Sequence, residues 1–332
     1  MPEAPQAVII GHAIVDVLAQ CEDREVKDLG LVKGTMELID GERAEHIYEV
    51  IDPEAQVSGG SAANTSVCFS SFGGRARFVG RVADDRLGKV FEEDIRAAGV
   101  VFDAPSHETG VTAGSGRCLI LVTPDAEKTM CTSLGAGAHL GPEDIPVEEI
   151  EACQVLYMEG YVWGLQPTTA AAERAIEAAR RGEALVAFSA SDPGWVAFQR
   201  DALLDLLGRA DLLFANEPEA LGLSGADDLD GAVDFLLERC PMVVVTLGAE
   251  GCLAADREGA RVRVPAAPVE RVIDTTGAGD SFAGGFLYGL VNGLGLEASA
   301  RLGADAASEV VSHLGARPTV SLRQRAAAAG LL

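Results

Sequence analysis

Val272–Leu290 reads Val-Ile-Asp-Thr-Thr-Gly-Ala-Gly-Asp-Ser-Phe-Ala-Gly-Gly-Phe-Leu-Tyr-Gly-Leu, and its two halves follow different rules. A polar approach, Asp274-Thr275-Thr276, leads into Gly277-Ala278-Gly279. From there apolar residues recur at helical spacing: Phe282, Phe286 and Leu290 fall four apart and share one helix face. Asp280 then lies in the first turn of that helix. The glycines let the backbone aim N–H groups at one point, and the helix N-terminus adds unpaired donors and partial positive charge. Such a place suits an anion, a phosphoryl group in transfer included. A carboxylate beside it stands where phosphoryl transfer to a hydroxyl wants a general base. The same string also reads as a plain capped helix, with Gly284, Gly285 and Gly289 giving close packing against a neighbour.

Two familiar phosphate-binding patterns fail on spacing. Phe282 stands where the dinucleotide fingerprint needs glycine, and no Gly-Lys-Ser/Thr follows as a Walker loop requires. The string as a whole resembles the C-terminal signature of the ribokinase-like (PfkB) carbohydrate kinase family.

The chain has 332 residues, 48% of them hydrophobic, enough for one large α/β domain. Its net charge of −25 argues against nucleic acid or an anionic membrane surface as a partner. Any ATP site must then be a local positive feature, built from backbone N–H groups and metal. Seven dispersed cysteines without a Cys-x-x-Cys pair fit reduced thiols of a cytoplasmic protein better than disulfides or a zinc site. The first ten residues have no basic region and too short an apolar run for a signal peptide. No apolar run approaches the ~18 residues of a membrane span.

Ala7–Ile10 is an apolar run ending at Gly11, which predicts a buried first strand with Asp16 just past its end. Ligands gather at the carboxyl ends of strands in open α/β sheets, so Asp16 is a candidate for binding substrate hydroxyls, or a surface turn carboxylate. Residues 17–56 are mixed and charged and read as strands of a small lid, with a solvated helix face over Asp40–Glu54. Ser58-Gly59-Gly60-Ser61-Ala62-Ala63-Asn64-Thr65 opens a helix running to Ser71. Its paired glycines admit a ligand to the backbone, and Asn64 can donate and accept in the first turn. The alternative is a tight connection packed with small residues. Arg77–Val82 reads as a strand, and a helix follows to Ala98. Arg117–Thr123 and Lys128–Ser133, around Pro124-Asp125-Ala126-Glu127, predict a hairpin of the same lid.

From Val155 onward apolar strands alternate with helices. Val155–Met158, Leu185–Phe188, Leu212–Ala215 and Val243–Leu247 are the strands. Thr168–Arg181, Ala197–Leu207 and Leu229–Arg239 are the helices between them. That alternation predicts an α/β fold with a central, mostly parallel sheet covered on both faces, plus the small β lid. The expected organisation is a single domain over 1–332, with lid segments at about 17–56 and 112–134.

The resemblance to the ribokinase-like family runs from Gly11 to about Pro318. It implies sugar-site contacts from Asp16, Gly59, Gly60 and Asn64, an anion hole at Gly277, Ala278 and Gly279, and Asp280 as base. Asn216-Glu217-Pro218-Glu219 fits the family's Asn-x-x-Glu motif and implies Mg²⁺ at Glu219, directly or through water, although such a string is commonly only a helix start. Thr246, Gly248 and Gly251 resemble a nucleotide-contacting loop, and Asn216 joins them as an ATP contact. Asp274 and the Thr276 carbonyl are implied holders of K⁺, and Gly315-Ala316-Arg317-Pro318 resembles the loop near the adenine and cation sites.

Residues 33–40, 117–125, 157–161 and 188–193 resemble the bacterial adenosine kinase branch. His12 departs from the Asn of many adenosine kinases, and Gly194–Gln199 departs from that branch's Cys- and His-containing run. The expectation is an ATP- and Mg²⁺-dependent kinase acting on the primary hydroxyl of a nucleoside, adenosine first. A sugar kinase for ribose, fructose or a related compound is the alternative, then a non-catalytic nucleoside-binding regulator. The protein is expected to be a monomer or homodimer. Leu31, Val32, Met36, Leu38, Leu119, Leu121 and Met130 are the lid residues offered as apolar cover for a purine.

Overall fold

The computed structural model describes residues 3–104, 114–125 and 127–332. Positions 112 and 113 of the expected lid and Ala126 of the expected hairpin turn lie outside the described residues. Among the described residues thirteen strands form two sheets. In chain order they are β1 (Ala7–Ile10), β2 (Ile14–Gln20), β3 (Met36–Leu38), β4 (Ala55–Gly59), β5 (Ala76–Val79), β6 (Gly116–Val122), β7 (Lys128–Ser133), β8 (Val155–Glu159), β9 (Leu185–Ser189), β10 (Leu212–Asn216), β11 (Met242–Thr246), β12 (Cys252–Asp256) and β13 (Arg261–Val264).

The larger sheet has the order β13-β12-β11-β10-β9-β8-β1-β5. It is parallel from β11 through β5, and its β12 and β13 pairings are antiparallel. Alternate residues of each central strand enter different cores. Ile9, Tyr157, Phe214 and Val244 join the core built with Phe69, Phe286 and Leu302 from the helices Ser61–Ser71, Ala278–Val291 and Leu296–Val310. Ile10, Met158, Leu213 and Val245 face Ala175, Leu203 and Val233 from the helices Thr168–Arg181, Pro193–Leu207 and Leu229–Leu237. Apolar residues on both strand faces give near-continuous hydrophobic runs, which is why the sequence shows strands here without alternation.

The second sheet, in the order β3-β7-β6-β2-β4, is assembled from the charged N-terminal region and the hairpin. Here one face only is packed on the core, so period-two alternation decides which side chains meet the site. Val15, Val17, Ala19, Leu119, Leu121 and Cys131 are buried on the side covered by the helix Gly41–Val50, through Ala44 and Ile47. The opposite side carries Ile14, Asp16, Leu18, Cys118, Ile120 and Met130, aligned by the register Asp16↔Cys118 and Ile120↔Met130. Asp16 therefore sits inside a strand of the second sheet, and not in a turn past the first strand as the sequence suggests.

Among the described residues no helix is long and apolar enough to cross a membrane. None of the seven cysteines is paired.

Candidate active site

The helix Ala278–Val291 begins where the sequence places it, and its glycines serve both the turn into the helix and close packing along it. Gly277 is the N-cap with φ +76, a left-handed conformation that glycine adopts freely. A Cβ on Gly284 would lie 2.8 Å from Cys68 Cβ, and one on Gly285 would lie 2.7 Å from the Leu302 carbonyl oxygen, so these glycines let two neighbouring helices close in. The Ala278 N–H donates to the Thr275 carbonyl oxygen at 3.2 Å. Among the described residues the N–H groups of Gly279 and Asp280 have no such acceptor, and they are the donors the turn leaves for an anion.

Asp280 is held from the helix Ser61–Ser71. Ser61 Oγ donates to its Oδ1 at 2.7 Å and Asn64 Nδ2 donates to its Oδ2 at 3.0 Å. Burial pushes this carboxyl up to about 6, against the pull of those two hydrogen bonds and of the Arg317 guanidinium. Gly60, with φ +89, makes the turn into that helix where a Cβ would lie 2.5 Å from the His12 carbonyl oxygen. Gly59 lies beneath the Asp16 carboxylate, where a Cβ would collide with it. Burial raises the Asp16 carboxyl to about 7; Arg317 opposes the rise and Asp280 adds to it. The fold thus brings Asp16, Gly59, Gly60, Asn64 and Asp280 to one place, between the second sheet and the carboxyl end of the first.

On the other side of the turn lies a cavity of about 490 Å³. Thr246, Gly248 and Gly251 line it together with Thr275, Ala278 and Gly279. Ala267, Pro268, Val272 and Val311 add an apolar wall that the sequence did not point to. Asn216 is the register partner of Thr246 at the adjoining strand end but does not line the cavity. It caps the next helix: its Oδ1 accepts from the Glu219 N–H at 2.9 Å. In return Glu219 accepts from the Asn216 N–H at 2.9 Å and from Nδ2 at 2.7 Å. Burial raises the Glu219 carboxyl to about 7. A carboxylate so enclosed, with both oxygens already accepting, fits Mg²⁺ through a water shell, not by direct ligation.

The Asp274 carboxylate does not fit the monovalent cation expected of it. Its Oδ1 accepts from Lys128 Nζ at 2.8 Å, Thr276 N at 3.1 Å and Thr276 Oγ at 2.7 Å, and its Oδ2 from Gly315 N at 3.2 Å. Burial works to raise this carboxyl, but those donors, Lys128 first, hold it well below the usual range. The ammonium comes from β7, so the second sheet is tied to the turn before the helix Ala278–Val291 by an ion pair.

Three residues were given no part in the acceptor side by the sequence, because only the fold brings them near. Lys128 is one. Arg317 is the second: its loop is not confined to the nucleotide side, since its Nε donates to Asn64 Oδ1 at 3.1 Å and its Nη1 to Ser58 Oγ. Glu159, at the end of β8, is the third. It is buried and accepts from His12 N at 2.8 Å and Ala62 N at 3.0 Å, with His12 Nδ1 at 2.6 Å, locking the β1–β2 turn to the helix Ser61–Ser71. A larger open groove of about 890 Å³ beside the second sheet is lined by Leu38 but by none of the acid, glycine-turn or nucleotide-side residues assigned above.

Residues 44–322 match the profile of the pfkB family carbohydrate kinase. The solved adenosine kinase of Sinorhizobium meliloti is 40% identical, with a TM-score of 0.90 over 98% of this chain and 99% of that one. A probable sugar kinase of Rhizobium etli CFN 42 is 37% identical, with a TM-score of 0.91 over 99% and 100%. The 5-dehydro-2-deoxygluconokinase of Halalkalibacterium halodurans is 30% identical over 271 residues, 76% of this chain and 79% of that protein. The chain belongs to the pfkB family of carbohydrate kinases and is a phosphotransferase acting on an alcohol group.

Proposed function

We propose that this kinase phosphorylates a primary hydroxyl of a nucleoside, with adenosine as its best acceptor. The observation that carries the reading is the apolar side of the second sheet. Ile14, Leu18, Cys118, Ile120 and Met130 surround Asp16 there, and Met36 and Leu38 extend the surface, both exposed. A purine wants such a cover, whereas a free sugar wants hydrogen-bond partners over its ring. Met36 and Met130 add side chains that adapt to a flat base. A sugar acceptor remains the second reading, favoured by the charged groups at the other end of the site and by the relatives whose names carry sugars.

In this reading Asp16, with the backbone at Gly59 and Gly60 and the amide of Asn64, orients the acceptor hydroxyls. Asp280 takes the proton of the attacking hydroxyl as its oxygen forms a bond to the γ-phosphorus of ATP and the bond to the β-bridging oxygen breaks. The N–H groups of Gly279 and Asp280, in the turn opened by Gly277 and Ala278, stabilise charge on the transferring group. Thr246, Gly248 and Gly251 hold the nucleotide, with Asn216 at the adjoining strand end. Mg²⁺ would neutralise phosphate charge when bound, and Glu219 would be the residue to hold it, through its water shell. K⁺ has no part, because Lys128 takes the Asp274 carboxylate. The second sheet closes as a lid over one kinase domain and excludes water, the competing acceptor. An intact base and anion turn weigh against a non-catalytic regulator. A cytoplasmic monomer or homodimer without nucleic-acid or membrane partners fits the unpaired thiols and acidic surface.

Competition between adenosine and ribose or fructose at equal concentration, with limiting ATP, tests the acceptor. Phosphate should appear on adenosine. Phosphorylated free sugar, with adenosine neither phosphorylated nor inhibitory, overturns the nucleoside reading.

A further inference from the structure

The Arg317 guanidinium is the unexpected group of this site. Its loop is pinned at one end, where Gly315 N donates to Asp274 Oδ2, and at the other, where Thr319 N donates to Glu309 Oε1 at 3.1 Å. A Cβ on Gly277 would lie 2.6 Å from Ala316 Cβ, so the loop packs directly on the phosphate turn. This carries Arg317 past the nucleotide side and into the acceptor side. Its Nε and Nη1 are used on Asn64 and Ser58; Ser58 Oγ in turn donates to Asp94 Oδ2 at 3.1 Å. Its Nη2 is buried and has no hydrogen-bond partner among the described residues. A buried guanidinium donor left unpaired is costly, and one in a substrate site is the natural place for a substrate oxygen.

The contact with Asn64 does a second thing. A guanidinium only donates, so it fixes the Asn64 carbonyl oxygen toward Arg317 and the NH₂ toward Asp280. Without Arg317 the amide is free to turn its oxygen toward the Asp280 carboxylate, where two acceptors would meet.

We propose that Arg317 is an acceptor-site residue that locks the Asn64–Asp280 hydrogen bond and donates through Nη2 to an oxygen of a neutral, hydroxyl-bearing acceptor. Neutrality follows from the surrounding charge. Asp16, Asp94 and Asp280 all act on this one guanidinium, so above pH 7, where Asp16 and Asp280 are ionised, the pocket is net negative before an acceptor enters. An acid acceptor would add a fourth anion. The assignment rests on the kinase reading with Asp280 as base, and holds for a nucleoside or a neutral sugar alike.

The test is steady-state kinetics of Arg317→Met and Arg317→Lys, with KM read at pH 8 and kcat followed from there down through the acid limb, with adenosine, ribose, fructose and gluconate as acceptors and ATP affinity measured separately. Arg317→Met should raise the KM of the neutral acceptor that is turned over by roughly 10–100-fold, with ATP affinity unchanged. It should also lower kcat and move its acid limb upward in pH, because Arg317 lowers the Asp280 carboxyl. The other groups facing Asp280 stay in place: the Asp16, Glu159 and Glu219 carboxylates, and the Tyr157, Tyr161 and Cys68 side chains, which remain neutral. Arg317→Lys keeps the charge without the fork, so it should restore the acid limb but not the KM, and it carries the test if Arg317→Met fails to fold. An unchanged acceptor KM, an equal loss of ATP affinity, or gluconate as the preferred acceptor overturns the proposal. Turnover of fructose in place of adenosine overturns only the nucleoside reading.

Discussion

Asp280 combines a carboxyl raised to about 6 with two hydrogen bonds that favour its ionised form. The raised value puts the proposed base close to working pH while leaving it ionised above pH 7. A base must be deprotonated to act, so kcat should fall about tenfold per pH unit below pH 6 and stay level above it. Asp280→Asn should lower kcat by about 10²–10⁴-fold with little change in ATP binding, and the acid limb should vanish. A variant keeping half its activity would remove Asp280 from the reaction. Asp16 makes a different case, because its carboxyl at about 7 lies far above the unfolded value of 3.8. The folded chain then holds this proton more tightly than the unfolded one. That stabilisation is complete below pH 4 and lost as pH rises through 7. Asp16→Asn should therefore raise the stability of the unliganded protein at pH 8, by roughly 1–3 kcal/mol, with the gain shrinking toward pH 5. The same variant should raise acceptor KM strongly, the usual opposition of stability and function at a binding group. Calorimetry at the two pH values reads the first effect, and a gain that does not depend on pH would refute it. Asn64 and Asp280, which the fold joins by a hydrogen bond, each sit in a local string whose spacing has a physical meaning, whereas Asp16 was singled out by the family resemblance, because its own stretch reads equally well as a turn carboxylate. Arg317 and Lys128 could not be read this way, since a lone basic residue in a loop or strand carries no local signal of what lies opposite.

The second sheet shows where pattern reading stops at the scale of one element. The hairpin of β6 and β7 was plain from its β-prone runs and turn residues. Which alternate residues face the site was not, because Cys-Leu-Ile-Leu-Val at 118–122 is apolar at every position. The structure turns Leu119 and Leu121 to the covered side and Cys118 and Ile120 to the site, while Met36, Leu38 and Met130 lie on the same side as Asp16 and the candidate Leu31 is buried in the core. Phase was set by Asp16, whose register with Cys118 no single strand reveals. Lys128 at the start of β7 gives this sheet its hold on the phosphate turn. Lys128→Met should break that tie and lower kcat/KM by roughly tenfold, the worth of one charge-assisted hydrogen bond in a partly buried place. Exchange of K⁺ for Na⁺ should leave the wild-type rate unchanged. A strict K⁺ requirement would show that Asp274 exchanges the ammonium for the metal during turnover.

At the scale of the whole molecule, the parallel pairing of the strands followed from the alternation of apolar runs with helices, and the structure bears it out from β8 to β11. The antiparallel edge of β12 and β13 was missed. Cys-Leu-Ala-Ala-Asp at 252–256 has weak strand propensity, and pairing with β11 holds it in place. The charge is also a whole-molecule property: 51 acidic residues against 26 basic ones must repel an incoming nucleotide anion until it reaches the local donors at Gly279, Asp280 and Lys128. Screening works on the long-range part first, since the Debye length shrinks from about 30 Å at 0.01 M to about 10 Å at 0.1 M ionic strength. ATP association, followed by stopped-flow, should thus speed up with added salt, on the order of two- to tenfold over that range. Adenosine is uncharged and serves as the internal control, with an association rate that should not move. An ATP rate that falls with salt would mean that the field at the mouth of the site is already positive. The Lys128 ammonium and the helix N-terminus would then outweigh the net charge well before contact, and Lys128→Met should reverse the slope.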